Sequence, residues 1–221
     1  MLFDLRSRGR RRTVQGVYLG LALLMGGGLV LFGVGAGNGF GGILNAFTGG
    51  GSGNGNKSVV SQQEKSALKA TQVSPNDPQG WASLLQARWT TATQAPDFNS
   101  SNGTFTAAGM KELSGATQAW ERYMKLTKSP DPSLIVLAAR AYALSGNYAG
   151  AASTWELETL ASPNTAKGYE CLAVSAYAAG QTRKGDLALT KALTLVPKLQ
   201  RTLLKNQITQ AKTQHQVAQQ C

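Results

Sequence analysis

Residues 132–163 read PSLIVLAARAYALSGNYAGAASTWELETLASP, and this stretch decides the fold. Its apolar residues recur at helical spacing on both sides of Gly146-Asn147-Tyr148. A glycine followed by a turn is typical of the end of a helix, and Pro163 follows the second helical run. The stretch therefore predicts a pair of helices joined by a tight turn.

The same helix-ending residues recur 34 residues further along the chain, where Gly146 is matched by Gly180 and Pro163 by Pro197. Four more positions correspond, namely Ile135 with Tyr169, Ala139 with Ala173, Ala151 with Gly185 and Trp155 with Leu189. A fixed period of this kind indicates stacked helical units, because each unit can bury its apolar face only against the next.

In order along the chain, the first unit has a large residue, two small residues, a tyrosine, a turn glycine, a second tyrosine, a small residue, a tryptophan and a closing proline. These are Ile135, Ala138, Ala139, Tyr142, Gly146, Tyr148, Ala151, Trp155 and Pro163. The series resembles the tetratricopeptide repeat (TPR) family, whose period is also about 34 residues. The next unit matches at Tyr169, Leu172, Ala173, Gly180, Gly185, Leu189, Ala192 and Pro197, but its tyrosine, Tyr177, comes one position late.

A third, degraded unit precedes these two. Trp81, Leu84 and Leu85 resemble the first helix of a unit, and Ala116, Trp120 and Tyr123 resemble the second. A polar insertion, Ala95 to Thr106, separates them, an earlier helix is predicted from Val59 to Gln72, and a capping helix from Leu199 to Gln219. The fold class predicted for residues 58–221 is all-α, an α-solenoid of about three TPR-type helix pairs with a C-terminal capping helix.

The N-terminal region predicts a membrane anchor. Residues 14–37, VQGVYLGLALLMGGGLVLFGVGAG, carry no charge and are long enough to cross the hydrocarbon core as a helix. Residues 1–13 contain five arginines, so the positive-inside rule predicts a single-pass cell-membrane protein with a cytoplasmic N-terminus and an extracytoplasmic C-terminal domain. Val34-Gly35-Ala36 leaves a cleaved signal peptide as the alternative.

Small residues within the span indicate a site of helix contact in the bilayer. Gly16 and Gly20, like Gly33 and Gly37, are spaced as GxxxG, which lets two helix backbones approach closely. Residues 38–57 are rich in Gly, Ser and Asn and predict a flexible linker between this span and the helical domain.

The composition argues against several classes of function. The chain has two cysteines, one histidine and a net charge of +11, with no set of residues at catalytic or metal-ligating spacing. We therefore predict no enzymatic activity, cofactor, metal or small-molecule substrate. Nucleic acid is not expected as a partner, because the domain is predicted to be extracytoplasmic and its basic residues are not interleaved with aromatics.

Cys171 and Cys221 are open to two interpretations. An oxidising compartment favours a disulfide. A capping helix that continues to Gln219, parallel to the helix of Cys171, would however carry Cys221 roughly 20–25 Å too far along at about 1.5 Å per residue. The helical geometry thus predicts an unbridged, buried Cys171, unless the C-terminal segment folds back.

The resemblance to TPR proteins implies a binding groove lined by first helices, which takes an extended peptide or a helix of a partner protein or membrane complex. Trp81, Trp120 and Trp155 are predicted to lie in the core. The candidate groove residues are Gln86, Arg88, Arg140 and Glu170, together with Trp89 beside the insertion.

The predicted function is an anchored scaffold for protein–protein interaction, as an accessory of protein export or envelope assembly. Its layout resembles that of bacterial single-pass TPR ancillary subunits of the Sec translocon. The alternative is an envelope-binding module that uses a basic C-terminal surface to bind anionic lipid or wall polymer. That surface comprises Arg183, Lys184, Lys191, Lys198, Arg201, Lys205 and Lys212.

Overall fold

The computed structural model describes the backbone of residues 55–221 and the side chains of residues 62–221. The predicted basic N-terminus, membrane span and its four spaced glycines, and nearly all of the linker lie outside the described residues. Of the helices between residues 55 and 221, none combines the length and the apolar character that crossing a membrane requires.

Helices dominate the described part of the chain. They are α1 (Gly55–Val73), α2 (Pro78–Ala92), α3 (Ala107–Leu126), α4 (Pro132–Leu144), α5 (Tyr148–Ala161), α6 (Ala166–Ala178), α7 (Thr182–Leu195) and α8 (Arg201–Gln210). Two short 3-10 helices follow α7 and α8, at Lys198–Gln200 and His215–Gln220. The strands β1 (Phe98–Asn99) and β2 (Thr104–Phe105) form an antiparallel hairpin between α2 and α3.

Two of the first helices, α2 and α4, begin with the same Asp-Pro pair. Pro78 and Pro132 occupy the first turns of α2 and α4, where a missing backbone N–H has no consequence. The preceding aspartates act as N-caps, and Asp131 Oδ1 accepts a hydrogen bond from the Ser133 backbone N–H at 2.8 Å. Hydrogen bonds from the hydroxyl and from the backbone N–H of Ser133 hold the pKa of Asp131 below its usual value.

The ends of α4 and α6 explain the recurring glycines. Gly146 and Gly180 have φ of +79° and +73°, a left-handed conformation that side chains disfavour. The residue after each glycine donates its N–H five residues back, Asn147 to the Tyr142 carbonyl at 2.9 Å and Gln181 to the Ala176 carbonyl at 2.8 Å. Because α4 and α6 begin at residues 132 and 166, the predicted period of 34 residues is confirmed in the structure.

The helices pack as consecutive antiparallel pairs, α2 with α3, α4 with α5 and α6 with α7. Each later pair also packs on its predecessor, through contacts of α3 with α4 and of α5 with α6. Ala138, Ala139, Ala151 and Ala173 are fully buried (0% exposed) at these contacts, as the sequence predicts. Small side chains there allow the backbones of neighbouring helices to approach closely.

The late position of Tyr177 has a structural explanation. The ring of Tyr142 lies against Gly150, where an added Cβ would come within 2.7 Å of the ring. The ring of Tyr177 lies in the same way against Gly185. Both members of the pair have moved by one residue in the second unit, so each tyrosine keeps a glycine beneath its ring.

The C-terminal helix differs from the prediction of a continuous helix from Leu199 to Gln219. Helix α8 ends at Gln210, and the next backbone bonds tighten, with Ala211 N–H donating to Ile208 and Lys212 N–H to Thr209. The 3-10 helix His215–Gln220 then packs against α6 and α4. The chain therefore reverses after α8 instead of extending past the last pair.

This reversal overturns the prediction that Cys171 is unbridged. Cys171 and Cys221 form a disulfide whose Cα atoms lie 5.5 Å apart. The estimate of 20–25 Å failed because it assumed a straight helix to the C-terminus. A disulfide of this kind is consistent with an oxidising, extracytoplasmic location.

Candidate protein-interaction site

The predicted groove residues lie on the first helices, and their surroundings differ. Gln86 is exposed on α2, and half-buried Trp89 packs against a small apolar cluster. That cluster contains Ala92, Leu113, Ala116 and Ala141, with Phe105 and Leu144 packed against it. Trp120 and Trp155 are buried and Trp81 packs against the main core, whereas Trp89 lies beside the inserted hairpin.

Arg88 is paired within the domain. Its Nε lies 3.5 Å from Glu64 Oε1 on α1 and 3.9 Å from Glu112 Oε2 on α3. Burial and the neighbouring Glu64 raise the pKa of Glu112, while Arg88 lowers it. Gly115 leaves room for the Arg88 side chain, since a Cβ there would lie 2.9 Å from its Cδ. Arg88 therefore joins three helices, and its charge is already engaged.

The other two charged candidates also have partners in the structure. Arg140 Nε donates a hydrogen bond to the main-chain oxygen of Cys221 at 2.8 Å. Glu170 accepts a hydrogen bond from Lys167 Nζ at 2.9 Å, one turn earlier on α6. Arg140 is thus the predicted groove residue that contacts the returning C-terminal segment.

That segment, residues 215–221, is called the tail below. It lies along the first helices α6 and α4, and it buries Ala218 (0% exposed) and Cys221 (6%). Its other side chains are exposed or partly exposed. At its start, the His215 ring meets the edge of Tyr148 with the ring centroids 6.2 Å apart.

A cleft of about 420 Å³ opens beside the tail. Its apolar lining comes from α2, the hairpin and α4, through Trp89, Phe98, Phe105 and Leu144. Thr93, Gly103 and three tail residues, Gln216, Gln219 and Gln220, complete the lining. The cleft therefore combines apolar walls with amide groups that can donate and accept hydrogen bonds.

Most of this cleft was not predicted from the sequence. The hairpin had a usable signal, because Phe98 and Phe105 flank polar turn residues that include Asn102-Gly103. The two phenylalanines pair across the strands with ring centroids 4.8 Å apart. The contribution of Gln216, Gln219 and Gln220 had no signal in the sequence, since it depends on the reversal after α8.

Part of the basic C-terminal surface is neutralised. Lys184 Nζ lies 2.7 Å from Glu156 Oε2, and Lys212 Nζ lies 3.4 Å from Asp186 Oδ1 and over the Tyr177 ring. The Tyr177 hydroxyl donates to Asp186, and this hydrogen bond, with Lys212, lowers the pKa of that carboxyl. The surface is therefore less positive than the count of its lysines and arginines suggests.

Comparison of the chain with protein-family models, with curated proteins and with solved structures found no significant match in any of the three.

Proposed function

We propose that this chain is a membrane-anchored, extracytoplasmic scaffold of the TPR type. Its first-helix face, the surface formed by the first helices α2, α4 and α6, binds a polypeptide segment of a partner protein. The period of 34 residues and the stacked antiparallel pairs support the family assignment. The uncharged stretch 14–37 after a basic N-terminus supports the anchor, and the disulfide supports an oxidising location.

One observation supports the binding mode above all others: a polypeptide segment already lies on the first-helix face. The tail packs on α6 and α4, and Arg140 holds it through a main-chain oxygen. A contact to a main-chain oxygen does not depend on the side chains of the bound segment, so the same contact suits a segment from another protein. The adjoining cleft offers a partly enclosed position for a bulky apolar side chain.

The biological role that we propose is that of an accessory in protein export or envelope assembly. A membrane anchor would hold the domain near membrane-bound machinery and raise the effective concentration of its partners without adding contacts. We propose no catalytic role for it.

We rank binding of anionic lipid or wall polymer second, because Lys184 and Lys212 are paired with acidic side chains of the same domain. The two functions predict different behaviour toward vesicles. Binding to phosphatidylglycerol vesicles that disappears at high salt would favour the envelope-binding module, since it would show an electrostatic surface interaction.

Site-specific crosslinking in membranes that contain the full-length protein tests the scaffold. A photoreactive amino acid is placed at Thr93, which lines the cleft, and in a matched variant at Leu160, which is 75% exposed on the second helix α5. We expect discrete protein adducts from position 93 and none from position 160. The experiment is run with and without dithiothreitol, and equal adducts at both positions, or none at position 93 under either condition, would contradict binding on the first-helix face.

A further inference from the structure

We propose that the tail, residues 215–221, is an intramolecular occupant of the first-helix face. Reduction of the Cys171–Cys221 disulfide releases it, so that a neutral, amide-rich segment of a partner can take its place. This inference rests on the proposed function, because it assigns a regulator and a partner chemistry to the same surface. Three features support it: the few non-covalent contacts of the tail, the buried hydroxyl near the disulfide and the composition of the tail.

Few non-covalent contacts hold the tail. Ala218 and Cys221 are its buried side chains, both are small, and partly buried Val217 packs against the main core. To these the structure adds the hydrogen bond from Arg140 and the edge contact of His215 with Tyr148. Docking costs backbone conformational entropy at each of the seven residues, and these three side chains bury too little apolar area to offset that cost. The disulfide therefore supplies most of the docking, by keeping the local concentration of the tail high.

Helix α6 carries a buried polar side chain close to the disulfide. Ser175 lies one helical turn after Cys171, on the same face of α6. Its side chain is fully buried (0% exposed), and its hydroxyl has no hydrogen-bond partner among the described residues. A buried hydroxyl without a partner is unfavourable, so the packing near Cys171 is less favourable than an apolar core of the same shape would be.

The releasing step is a thiol–disulfide exchange with a dithiol reductant. A thiolate of the reductant attacks Sγ of Cys221, the less buried of the two residues, and Cys171 leaves as a thiolate that takes up a proton. The second thiol of the reductant then attacks the mixed disulfide, and Cys221 leaves as a thiolate that is protonated in turn. The reductant loses two electrons and two protons and becomes a disulfide, and both cysteines end as thiols.

The tail itself indicates the chemistry of its replacement. Its sequence, HQVAQQC, has no acidic residue, lysine or arginine, and is rich in amides. Its small residue Ala218 is fully buried, Arg140 meets a main-chain oxygen, and Gln216, Gln219 and Gln220 line the cleft. A segment that replaces it therefore places a small apolar residue at the site of Ala218, a main-chain oxygen at Arg140 and amide side chains along the cleft.

The first experiment measures release without any partner. Full-length protein in detergent is compared with and without dithiothreitol, and next to a Cys221→Ser variant. Hydrogen exchange is followed over residues 215–221, and maleimide labelling over Cys171. We expect exchange in the tail to rise at least about ten-fold and Cys171 to become labelled. Unchanged exchange together with an unlabelled Cys171 in reduced wild type would overturn the proposal, and this arm does not require the variant to fold.

The second experiment measures replacement. The probe is a fluorescent peptide with the sequence of residues 211–221 and serine in place of the final cysteine. We expect its Kd to be at least about ten-fold lower for reduced wild type and Cys221→Ser than for the oxidised protein. The Cys221→Ser/Arg140→Gln variant should bind it more weakly than Cys221→Ser.

A tail that is released without peptide binding would overturn the proposed partner chemistry. Equal binding to oxidised and reduced protein would overturn the occlusion. Failure of the proposed function is seen separately, as missing adducts at position 93 both with and without dithiothreitol, because release of the tail is measured without a partner.

Discussion

Removal of the Arg88 charge should destabilise the domain in a way that depends on pH. Arg88 lies 3.5 Å from Glu64 and 3.9 Å from Glu112, which corresponds to a gross attraction of about 4–5 kcal/mol for each pair at an effective dielectric constant of about 20. Desolvation offsets much of this attraction. Breaking a buried ion pair costs about 3–5 kcal/mol, whereas breaking an exposed ion pair costs less than about 1 kcal/mol. All three side chains are between 21% and 23% exposed, so we expect Arg88→Met to cost about 2 kcal/mol at neutral pH.

The sign of the pH dependence follows from Glu112. Burial and Glu64 raise its pKa in the folded protein, so the stability that it contributes is complete at low pH and is lost as the pH rises through that pKa. Arg88 opposes this rise in the pKa, and Arg88→Met removes the opposition. The loss of stability caused by Arg88→Met should therefore be largest near pH 7 and smaller near pH 4, where the raised pKa of Glu112 keeps its carboxyl mostly protonated.

Urea unfolding followed by tryptophan fluorescence measures this effect in the full-length protein. All four tryptophans lie between residues 81 and 155, so the signal reports the helical domain alone. A loss of about 2 kcal/mol lowers the urea midpoint by about 1 M. Arg88→Met/Glu112→Gln should recover most of the stability at pH 7, and the exposed control Arg183→Met should change it by less than about 0.5 kcal/mol. An equal loss at both pH values without recovery would refute the charge argument and assign the loss to packing of the Arg88 stem against Gly115.

Three further predictions concern packing, hydrogen bonding and topology. Ala139→Leu and Ala173→Leu should each overpack a fully buried helix contact and cost about 1–3 kcal/mol, seen as a lower Tm; unchanged melting of both would contradict the assigned register. Tyr142→Phe removes a 3.0 Å hydrogen bond to Glu121 and should cost about 1 kcal/mol in urea unfolding, and a stability equal to that of wild type would show that this bond contributes nothing. A reporter that is active only in the cytoplasm should be silent when fused after Cys221, whereas one that is active only outside should work; the reverse result would invert the predicted topology.

Much of the helical architecture was predictable because its determinants are local. A turn glycine at Gly146 and again at Gly180, and alanines at the helix contacts, identify the ends and faces of helices within short windows of sequence. The alignment of Tyr177 was off by one residue for a physical reason. The ring of Tyr177 packs on Gly185, and both residues lie one position later in their unit than Tyr142 and Gly150 do in theirs. A comparison of one position at a time does not detect such a paired shift.

The candidate site was only partly predictable. Trp89 was singled out correctly as an aromatic outside the main core, because the period left it without a packing position. Arg88 was expected to be free for a partner, but it is paired with glutamates from two other helices. Its spacing on α2 does not reveal this, since the register between helices determines which charges meet.

By itself, the sequence determined the helical class, the period of 34 residues, the boundaries of the helix pairs and the small residues at their contacts, because these depend on neighbours along the chain. The tertiary structure alone decided that α8 stops at Gln210, that the tail returns along α6 and that Cys221 reaches Cys171. The physical reason is that local preference does not predict the reversal: the residues after Gln210 are rich in Ala, Lys and Gln, which favour a continuing helix. Their path is set by the sites that Ala218 and Cys221 find on α6, a surface that exists only once the helix pairs have packed.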